Sequence, residues 1–138
     1  MGSKEILHYD QSGNGHHIYA RDVSSLPDSG ARTAFDTGAV RDSMKGKGMP
    51  SMIPTCAIMA MARRFEDGAT KYGADNWRKG IPTSRYCDAA YRHLMQARDG
   101  DTTEDHFGAV LWNMACWLWT LKAIEDNKLP PELNDIQN

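Results

Sequence analysis

The residues best suited to chemistry lie in one stretch, 63–80, which reads RRFEDGATKYGADNWRKG. It joins an acidic pair, Glu66 and Asp67, to cations and aromatic rings within about three helical turns and one loop. The cations are Lys71, Arg78 and Lys79, and the rings belong to Tyr72 and Trp77. Carboxylates can hold a divalent cation, cations can hold phosphate, and flat rings can stack on a base. This combination indicates one wall of a nucleotide site.

Further candidate ligands for a cation lie on two later predicted helices. Asp88 and His93 fall on the second, and Glu104, Asp105 and His106 near the start of the third. Mg²⁺ usually takes one or two carboxylates together with phosphate oxygens, so several helices that each supply one or two carboxylates could build such a site.

Most of these residues also have a purely structural interpretation. Asp88 can form an i, i+4 ion pair with Arg92. His93 falls on an apolar helix face, where histidines are commonly hydrogen-bonded core residues. The acids at 104 and 105 complement the positive end of a helix.

The remaining candidate residues each have a functional and a structural interpretation as well. Glu66 is either a metal ligand or a surface acid, and Asp67 also fits a solvated charge. Trp77 either stacks on a base or fills the end of the helical bundle. Asn113, in an otherwise apolar helix, either ties helices together or contacts a ligand, because a buried amide needs a hydrogen-bond partner.

Apolar periodicity predicts the three helices that position these side chains. The first begins near Pro54 and ends at Gly73, and its apolar stripe comprises Ile58, Met61, Phe65 and Tyr72. The second is capped by Thr83 or Ser84 and ends at Gly100. Its buried face comprises Tyr86, Ala89 or Ala90, His93 and Ala97.

The third predicted helix opens at Thr102 or Thr103 and runs for roughly 25 residues. One apolar stripe comprises Phe107, Val110, Leu111, Met114, Leu118, Leu121 and Ile124. A second stripe comprises Trp112, Cys116 and Trp119. A helix that is apolar on two sides is either central or shared with a second subunit, and a chain of 138 residues favours sharing. The predicted fold is therefore all-α, with three main helices in a bundle completed by a homodimer or homotetramer.

Residues 1–50 are predicted to form a flexible arm followed by a loop, and to contribute no helix to this bundle. Residues 1–30 lack periodicity and predict a flexible arm, and 31–138 form a single all-α domain. Residues 31–50 are glycine-rich and basic and predict a loop, but no phosphate-binding P-loop motif is present.

Composition excludes several classes of partner. The net charge is −2, which gives no general attraction to nucleic acid or to an anionic membrane. No apolar run approaches the roughly 20 residues of a membrane span. Three isolated cysteines predict reduced thiols, and hence a cytoplasmic protein. Zinc-deaminase, Rossmann and serine-hydrolase motifs are also missing from the sequence.

The sequence resembles a known family in three segments: GAVRDSMKGKGMPSMIP, RRFEDGATKYGADNWRKGIPTSRYCDAAYRHL, and an acidic D-G-D…E-D-H stretch before a W-N in the last helix. This pattern is similar to the small phage dATP/dGTP diphosphohydrolases, which resemble the all-α MazG-like nucleoside triphosphate pyrophosphohydrolases. The K-Y-G-x-x-N-W-x-K-G segment is the most specific part.

The resemblance implies hydrolysis of a purine deoxynucleoside triphosphate, dGTP or dATP, to the monophosphate and pyrophosphate, with Mg²⁺ or Mn²⁺. It implies that Glu66 is the first-helix acid and Asp105 the later one. The superfamily's doubled E-E-x-x-E motif and the E-x-x-D that follows it are missing. Only Glu66-Asp67 and Glu104-Asp105 echo them, which leaves His93, His106 and Asn113 as possible substitute ligands.

The implied substrate residues extend over two regions of the sequence. Those in the first-helix region are Lys71, Asn76, Trp77, Arg78 and Lys79. Those in the basic loop are Arg41, Lys45 and Lys47. Such an enzyme would work in the host cytoplasm if the chain is phage-encoded. The alternative hypothesis is a catalytically silent helical module that binds a nucleotide or a host factor.

Overall fold

The computed structural model describes residues 6–9 and 15–18, for their backbone, and 30–136. Two compact units form, Met1–Gly48 and Met49–Asn138, and each is described by itself. Most of the predicted flexible arm lies outside the described residues, so the arm and its boundary at residue 30 stay predictions.

The described part of the N-terminal unit contains two antiparallel hairpins. Strand β1 (Ile6–Tyr9) pairs with β2 (Gly15–Ile18), and β3 (Arg32–Ala34) pairs with β4 (Val40–Asp42). The prediction of an unbroken loop over 31–50 is therefore wrong in part. Its glycines mark turns instead: Gly38, with φ of 85°, closes the β3–β4 hairpin.

Helix α1 spans Thr55–Tyr72, as predicted from its flanking residues. Pro54 precedes the first turn, and the N–H of Gly73 bonds to the carbonyl of Ala69. Gly73 has φ of 93°, a conformation that side-chain-bearing residues rarely adopt, so the helix ends there. A short 3-10 helix, Asn76–Lys79, leads on toward α2.

Helix α2 spans Thr83–Arg98, and its N-terminus is capped from a distance. The prediction that Thr83 or Ser84 caps α2 is wrong, because both residues lie within the helix. The Asp135 carboxylate instead accepts hydrogen bonds from the Ser84 N–H at 2.8 Å, the Ser84 hydroxyl at 2.6 Å and the Thr83 hydroxyl at 3.1 Å. The chain beyond α3 thus returns to cover the start of α2.

Helix α3 spans His106–Glu125 and begins later than predicted. Thr103 does not open it, because its N–H and hydroxyl both bond to Asp101 in the preceding turn. The N-cap is Asp105, whose Oδ1 accepts the Gly108 N–H at 2.9 Å.

Small side chains on α3 form the centre of the bundle. The buried face of α3 comprises His106, Ala109, Asn113, Cys116, Thr120 and Ala123. At Gly108 the backbone of α1 comes so close that an added Cβ would lie 2.8 Å from the Ala60 carbonyl oxygen. Tyr86, Ala90 and His93 form the buried face of α2, as predicted. The fold is all-α, with three main helices in the described residues, as the sequence indicated.

The larger apolar stripe of α3 is exposed in the single chain. Phe107 and Leu118 are each 70% exposed, Met114 49% and Leu111 37%. Tyr72, predicted on the apolar stripe of α1, is also 60% exposed. Val110, Leu121 and Ile124 of the α3 stripe are half-buried. Helix α3 therefore packs into its own bundle through small residues and through Trp112 and Trp119, and it presents Phe107, Leu111, Met114 and Leu118 outward.

The cysteines form no disulfide. Cys56 is exposed, Cys87 partly exposed and Cys116 buried. Burial raises the pKa of the Cys116 thiol to about 12, so this thiol stays protonated and unreactive at neutral pH. Among the described residues, no helix combines the length and apolar character of a membrane span.

Candidate functional site

Four carboxylates from two parts of the bundle face one cleft. A cavity of about 400 Å³ is lined by Arg63, Arg64, Glu66, Asp67, Glu104 and Asp105. The first four residues lie on α1, and the last two immediately precede α3. The acids of the first and third helices are thus brought together as the sequence predicted. We call this cavity the acidic cleft.

Arg64 ties the two walls of the acidic cleft together. Its Nη2 lies 2.6 Å from Glu104 Oε2 and donates to the backbone carbonyl of Asp105 at 2.8 Å. The hydrogen bond from Arg64 lowers the pKa of the Glu104 carboxyl below its ordinary value, so Glu104 is charged at neutral pH.

Glu66 and Asp67 are the free carboxylates of this cleft. Both are exposed, and neither carboxylate has a hydrogen-bond or ion-pair partner among the described residues. Asp105, by contrast, uses one carboxylate oxygen to cap α3. A cleft with several carboxylate oxygens, two of its acids unpaired, fits a hard divalent cation such as Mg²⁺ or Mn²⁺.

A second cavity, with aromatic and cationic walls, adjoins the acidic cleft. It has a volume of about 460 Å³. Its lining residues are Arg64, Phe65, Asp67, Gly68, Lys71, Tyr72, Gly73, Asn76, Trp77, Ile81 and Trp112. Arg64 and Asp67 line both cavities, so the two are neighbours along α1. We call this one the aromatic cavity.

The two aromatic rings of the segment 63–80 have different environments. Trp77 packs edge-on against Phe65, with ring centroids 5.4 Å apart, and against Trp119 at 4.9 Å, while the Arg78 guanidinium covers its ring at 4.9 Å. Tyr72 is largely exposed, and among the described residues only the Lys71 ammonium lies over its ring, at 5.1 Å. Tyr72 is therefore the more accessible surface for stacking.

His93, Glu104 and His106 form a second group of potential ligands. His93 Nδ1 lies 3.0 Å from His106 Nδ1, and Glu104 Oε1 lies 3.8 Å and 4.0 Å from these two nitrogens. Burial lowers the pKa of the His93 imidazole; the Glu104 carboxylate opposes this shift, and the nearby charges of Arg92, Arg64 and His106 add to it. The two predicted histidine ligands are thus brought together, but with Glu104 rather than with Glu66.

Other predicted site residues lie apart from these groups. Asp88 is exposed and lines neither cavity. The i, i+4 pair that it could form with Arg92 is not made. Asn113 donates to the Ala109 carbonyl of its own helix at 2.8 Å. Arg78 pairs with Asp75 at 3.5 Å, and Lys79 is exposed.

The predicted phosphate ligands of the basic segment belong to the N-terminal unit. Arg41 and Lys47 line a separate cavity there, with Thr33, Phe35, Asp42 and Met44, whereas Lys45 does not. Lys47 also lies 3.8 Å from the Asp42 carboxylate. Their role toward a nucleotide stays a prediction.

Sequence reasoning missed Arg64 as a member of the site. Arg64 was one of two adjacent arginines, and nothing local distinguishes it from Arg63. Glu104 was named with Asp105 and His106 among the candidate acids and histidines of the third helix, with a charge at a helix N-terminus as its structural alternative. Its spacing of two residues from His106 was the available signal for shared ligation.

Comparison with protein families gives the class to which this helical bundle and its acidic cleft belong. Residues 37–128 match the family model described as dATP/dGTP diphosphohydrolase, N-terminal. The match covers more than half of the chain and includes α1, α2 and α3. The chain belongs to the dATP/dGTP diphosphohydrolase family. Comparisons with curated proteins and with solved structures find no significant match.

Proposed function

We propose that this protein hydrolyses a purine deoxynucleoside triphosphate, dGTP or dATP, to the monophosphate and pyrophosphate. The observation that carries the proposal is the adjacency of the acidic cleft and the aromatic cavity through Arg64 and Asp67. One cavity offers carboxylates for a cation, and the other offers rings for a base and cations for phosphate. Membership of the diphosphohydrolase family supports the same reaction class.

The residues of the acidic cleft would hold the cation and the attacking water. Glu66 and Asp67 have unpaired carboxylates, and Asp105 has one oxygen beyond its cap, so together they can supply several oxygen ligands. Mg²⁺ or Mn²⁺, when bound there, would neutralise phosphate charge and make water more acidic. Glu66 and Asp105 are the proposed catalytic carboxylates.

The reaction itself is a displacement at the α-phosphorus. The water oxygen forms a bond to that phosphorus, the bond to the bridging oxygen of the β-phosphate breaks, and a proton from the water passes to a carboxylate of the cleft. Arg64 and Lys71 line the aromatic cavity, and Arg64 also lines the acidic cleft, so their positive charges would stabilise the triphosphate. Tyr72, Asn76 and Trp77 form the wall proposed for the base.

We also propose that the bundle is completed by a second copy of the chain. Phe107, Leu111, Met114 and Leu118 repeat at helical spacing on the exposed side of α3, opposite the buried small residues. Monomeric proteins rarely expose contiguous apolar surface of this kind. A second α3 is the partner of matching chemistry, which favours a homodimer or homotetramer.

The proposed setting is nucleotide metabolism in the cytoplasm, and in the host cytoplasm if the chain is phage-encoded. The enzyme would there remove dGTP or dATP, or supply the monophosphate for synthesis of a modified purine.

The test is a product analysis with the purified chain. Each of the four deoxynucleoside triphosphates is incubated separately with Mg²⁺ and with Mn²⁺, and the nucleotides and pyrophosphate are separated. We expect equal amounts of monophosphate and pyrophosphate from dGTP or dATP, and little from the pyrimidine substrates. Binding of purine nucleotides without any product would contradict hydrolysis and indicate a catalytically silent nucleotide-binding module.

A further inference from the structure

We propose that His93, Glu104 and His106 form a binding site for a transition metal of the Zn²⁺ class, separate from the Mg²⁺ or Mn²⁺ ions of the acidic cleft. The three side chains come from α2, from the turn before α3, and from the first residue of α3. The site does not rest on the proposed catalytic activity, because its ligands and its geometry stand without any substrate.

The three ligand atoms already lie at coordination distances from a common point. The two Nδ1 atoms are 3.0 Å apart, and Glu104 Oε1 lies 3.8 Å and 4.0 Å from them. A triangle with these sides has a centre about 2.1 Å from each corner, which equals the usual length of Zn–N and Zn–O bonds. A cation at this point would replace the hydrogen bond between the two Nδ1 atoms, and the proton of that bond would leave on binding.

The side chains behind the ligands support the same interpretation. His106 is only 2% exposed, and its other ring nitrogen, Nε2, is buried without a hydrogen-bond partner among the described residues. The Asp101 Oδ2 atom lies 3.4 Å from this nitrogen, close enough to accept from it after a small shift. A carboxylate behind a histidine is the usual support of a metal-bound imidazole, because it fixes the tautomer and the ring orientation. Asp101 is itself held by both hydrogen bonds from Thr103.

Glu104 is oriented in a similar way by a neighbour. Its Oε2 accepts the 2.6 Å hydrogen bond from Arg64, which leaves Oε1 directed to the two histidines. One carboxylate thus links the acidic cleft, through Arg64, to the histidine pair. A metal at this site would stabilise the turn that carries Asp105.

The ligand types determine the class of metal. Two imidazole nitrogens and one carboxylate suit Zn²⁺, Mn²⁺, Fe²⁺ or Co²⁺, whereas Mg²⁺ prefers oxygen ligands and keeps several waters. Zn²⁺ binds most tightly of those that take tetrahedral geometry, and three protein ligands leave its fourth position for water or a phosphate oxygen. Zn²⁺ is therefore the probe for the site.

The test measures Zn²⁺ binding to the full chain by competition with a chromogenic chelator. The exposed ligand, Glu104, is replaced as Glu104→Gln, which preserves shape and leaves the buried histidines in place. We expect one tight equivalent of Zn²⁺ in the wild type and an affinity at least about 100-fold lower in this variant. Asp101→Asn should lower the affinity about 10- to 100-fold, because it removes the support of His106.

Two control variants separate this site from other sources of binding. Glu132→Gln removes an exposed carboxylate far along the chain and should leave the affinity unchanged, and so should Glu66→Gln in the acidic cleft. All other histidines and cysteines are the same in these proteins, so the loss in Glu104→Gln reports on this group alone. Equal Zn²⁺ affinity in the wild type and Glu104→Gln would overturn the proposal, as would a tight equivalent that Glu66→Gln removes. Because this binding experiment contains no nucleotide, neither result bears on the proposed hydrolysis, which the product analysis tests separately.

Discussion

Arg64 on α1 and Glu104 before α3 form the shortest ion pair among the described residues, at 2.6 Å. The Arg64 side chain is 22% exposed and also donates to the Asp105 carbonyl oxygen. This arginine therefore holds together the two acid-bearing walls of the cleft, and it also lines the neighbouring aromatic cavity. The position of the later acids relative to Glu66 depends on it.

Replacing Arg64 should damage both stability and turnover. Arg64→Gln removes the ion pair and leaves Glu104 without its main partner, which should lower the free energy of unfolding by about 1 kcal/mol, since Glu104 is 44% exposed. The loss of a phosphate-facing cation should in addition lower kcat/KM about 100-fold. Urea unfolding and initial-rate kinetics measure the two effects. The matched control is Arg85→Gln on α2, an exposed arginine outside both cavities, and equal effects of the two substitutions would contradict this role.

The two rings of the segment 63–80 should respond differently to substitution. Tyr72→Ala removes an exposed ring and should weaken nucleotide binding by about 1–3 kcal/mol without changing the Tm. Trp77→Ala removes a ring packed between Phe65 and Trp119 and should lower the free energy of unfolding by about 2–3 kcal/mol. Calorimetry of a non-hydrolysable dGTP analogue and thermal unfolding separate the two. Unchanged affinity in Tyr72→Ala would show that this ring is not a stacking surface.

Asp135 should make the stability of the fold depend on acid pH. Its hydrogen bonds from Ser84 lower the pKa of its carboxyl below the ordinary value of 3.8 in the folded protein. The stabilisation is therefore fully present above that value and is lost as the pH falls through the lower folded pKa. Asp135→Asn should have a lower Tm than the wild type at pH 7, and the difference should shrink below pH about 4. Glu132→Gln, in the same tail, should show no such difference, and a Tm gap that stays constant with pH would contradict the capping role.

The exposed stripe of α3 should control assembly. Met114→Glu puts a charge in the middle of this stripe and should shift the protein from a dimer or tetramer to a monomer in sedimentation velocity. Met52→Glu, the same substitution at an exposed methionine outside α3, is the control and should leave assembly unchanged. If the wild type sediments as a monomer at high concentration, the proposed interface between two copies of α3 is contradicted.

Local sequence signals were sufficient for the helices but not for their contacts. Pro54, Gly73 and the apolar spacing of α2 act within a few residues, and these predictions were confirmed. The cap of α2 could not be predicted, because Asp135 lies about fifty positions from Ser84 in the sequence. The hairpin of β3 and β4 was missed because three-residue strands carry too little periodicity to stand out from a loop.

The residues of the candidate site were likewise predictable only where they lie close together in the sequence. Glu66, Asp67, Lys71 and Trp77 were found because they lie on one continuous segment. The group of His93 and His106 with Glu104 joins three elements, and only their packing shows which carboxylate faces the histidines. The spacing of the apolar residues on α3 was sufficient to predict the stripe. Whether this stripe lies inside the single-chain bundle or on its surface is decided by the small residues on the opposite side of the helix.

The most direct test of the proposed active site compares Glu66→Gln with Glu132→Gln in the release of pyrophosphate from dGTP and dATP. Both substitutions replace an exposed glutamate by its neutral isostere, but only Glu66 lies in the acidic cleft. We predict that Glu66→Gln lowers kcat by at least about 100-fold with an unchanged Tm, whereas Glu132→Gln behaves as the wild type. Full turnover in Glu66→Gln would contradict the assignment of the acidic cleft as the active site.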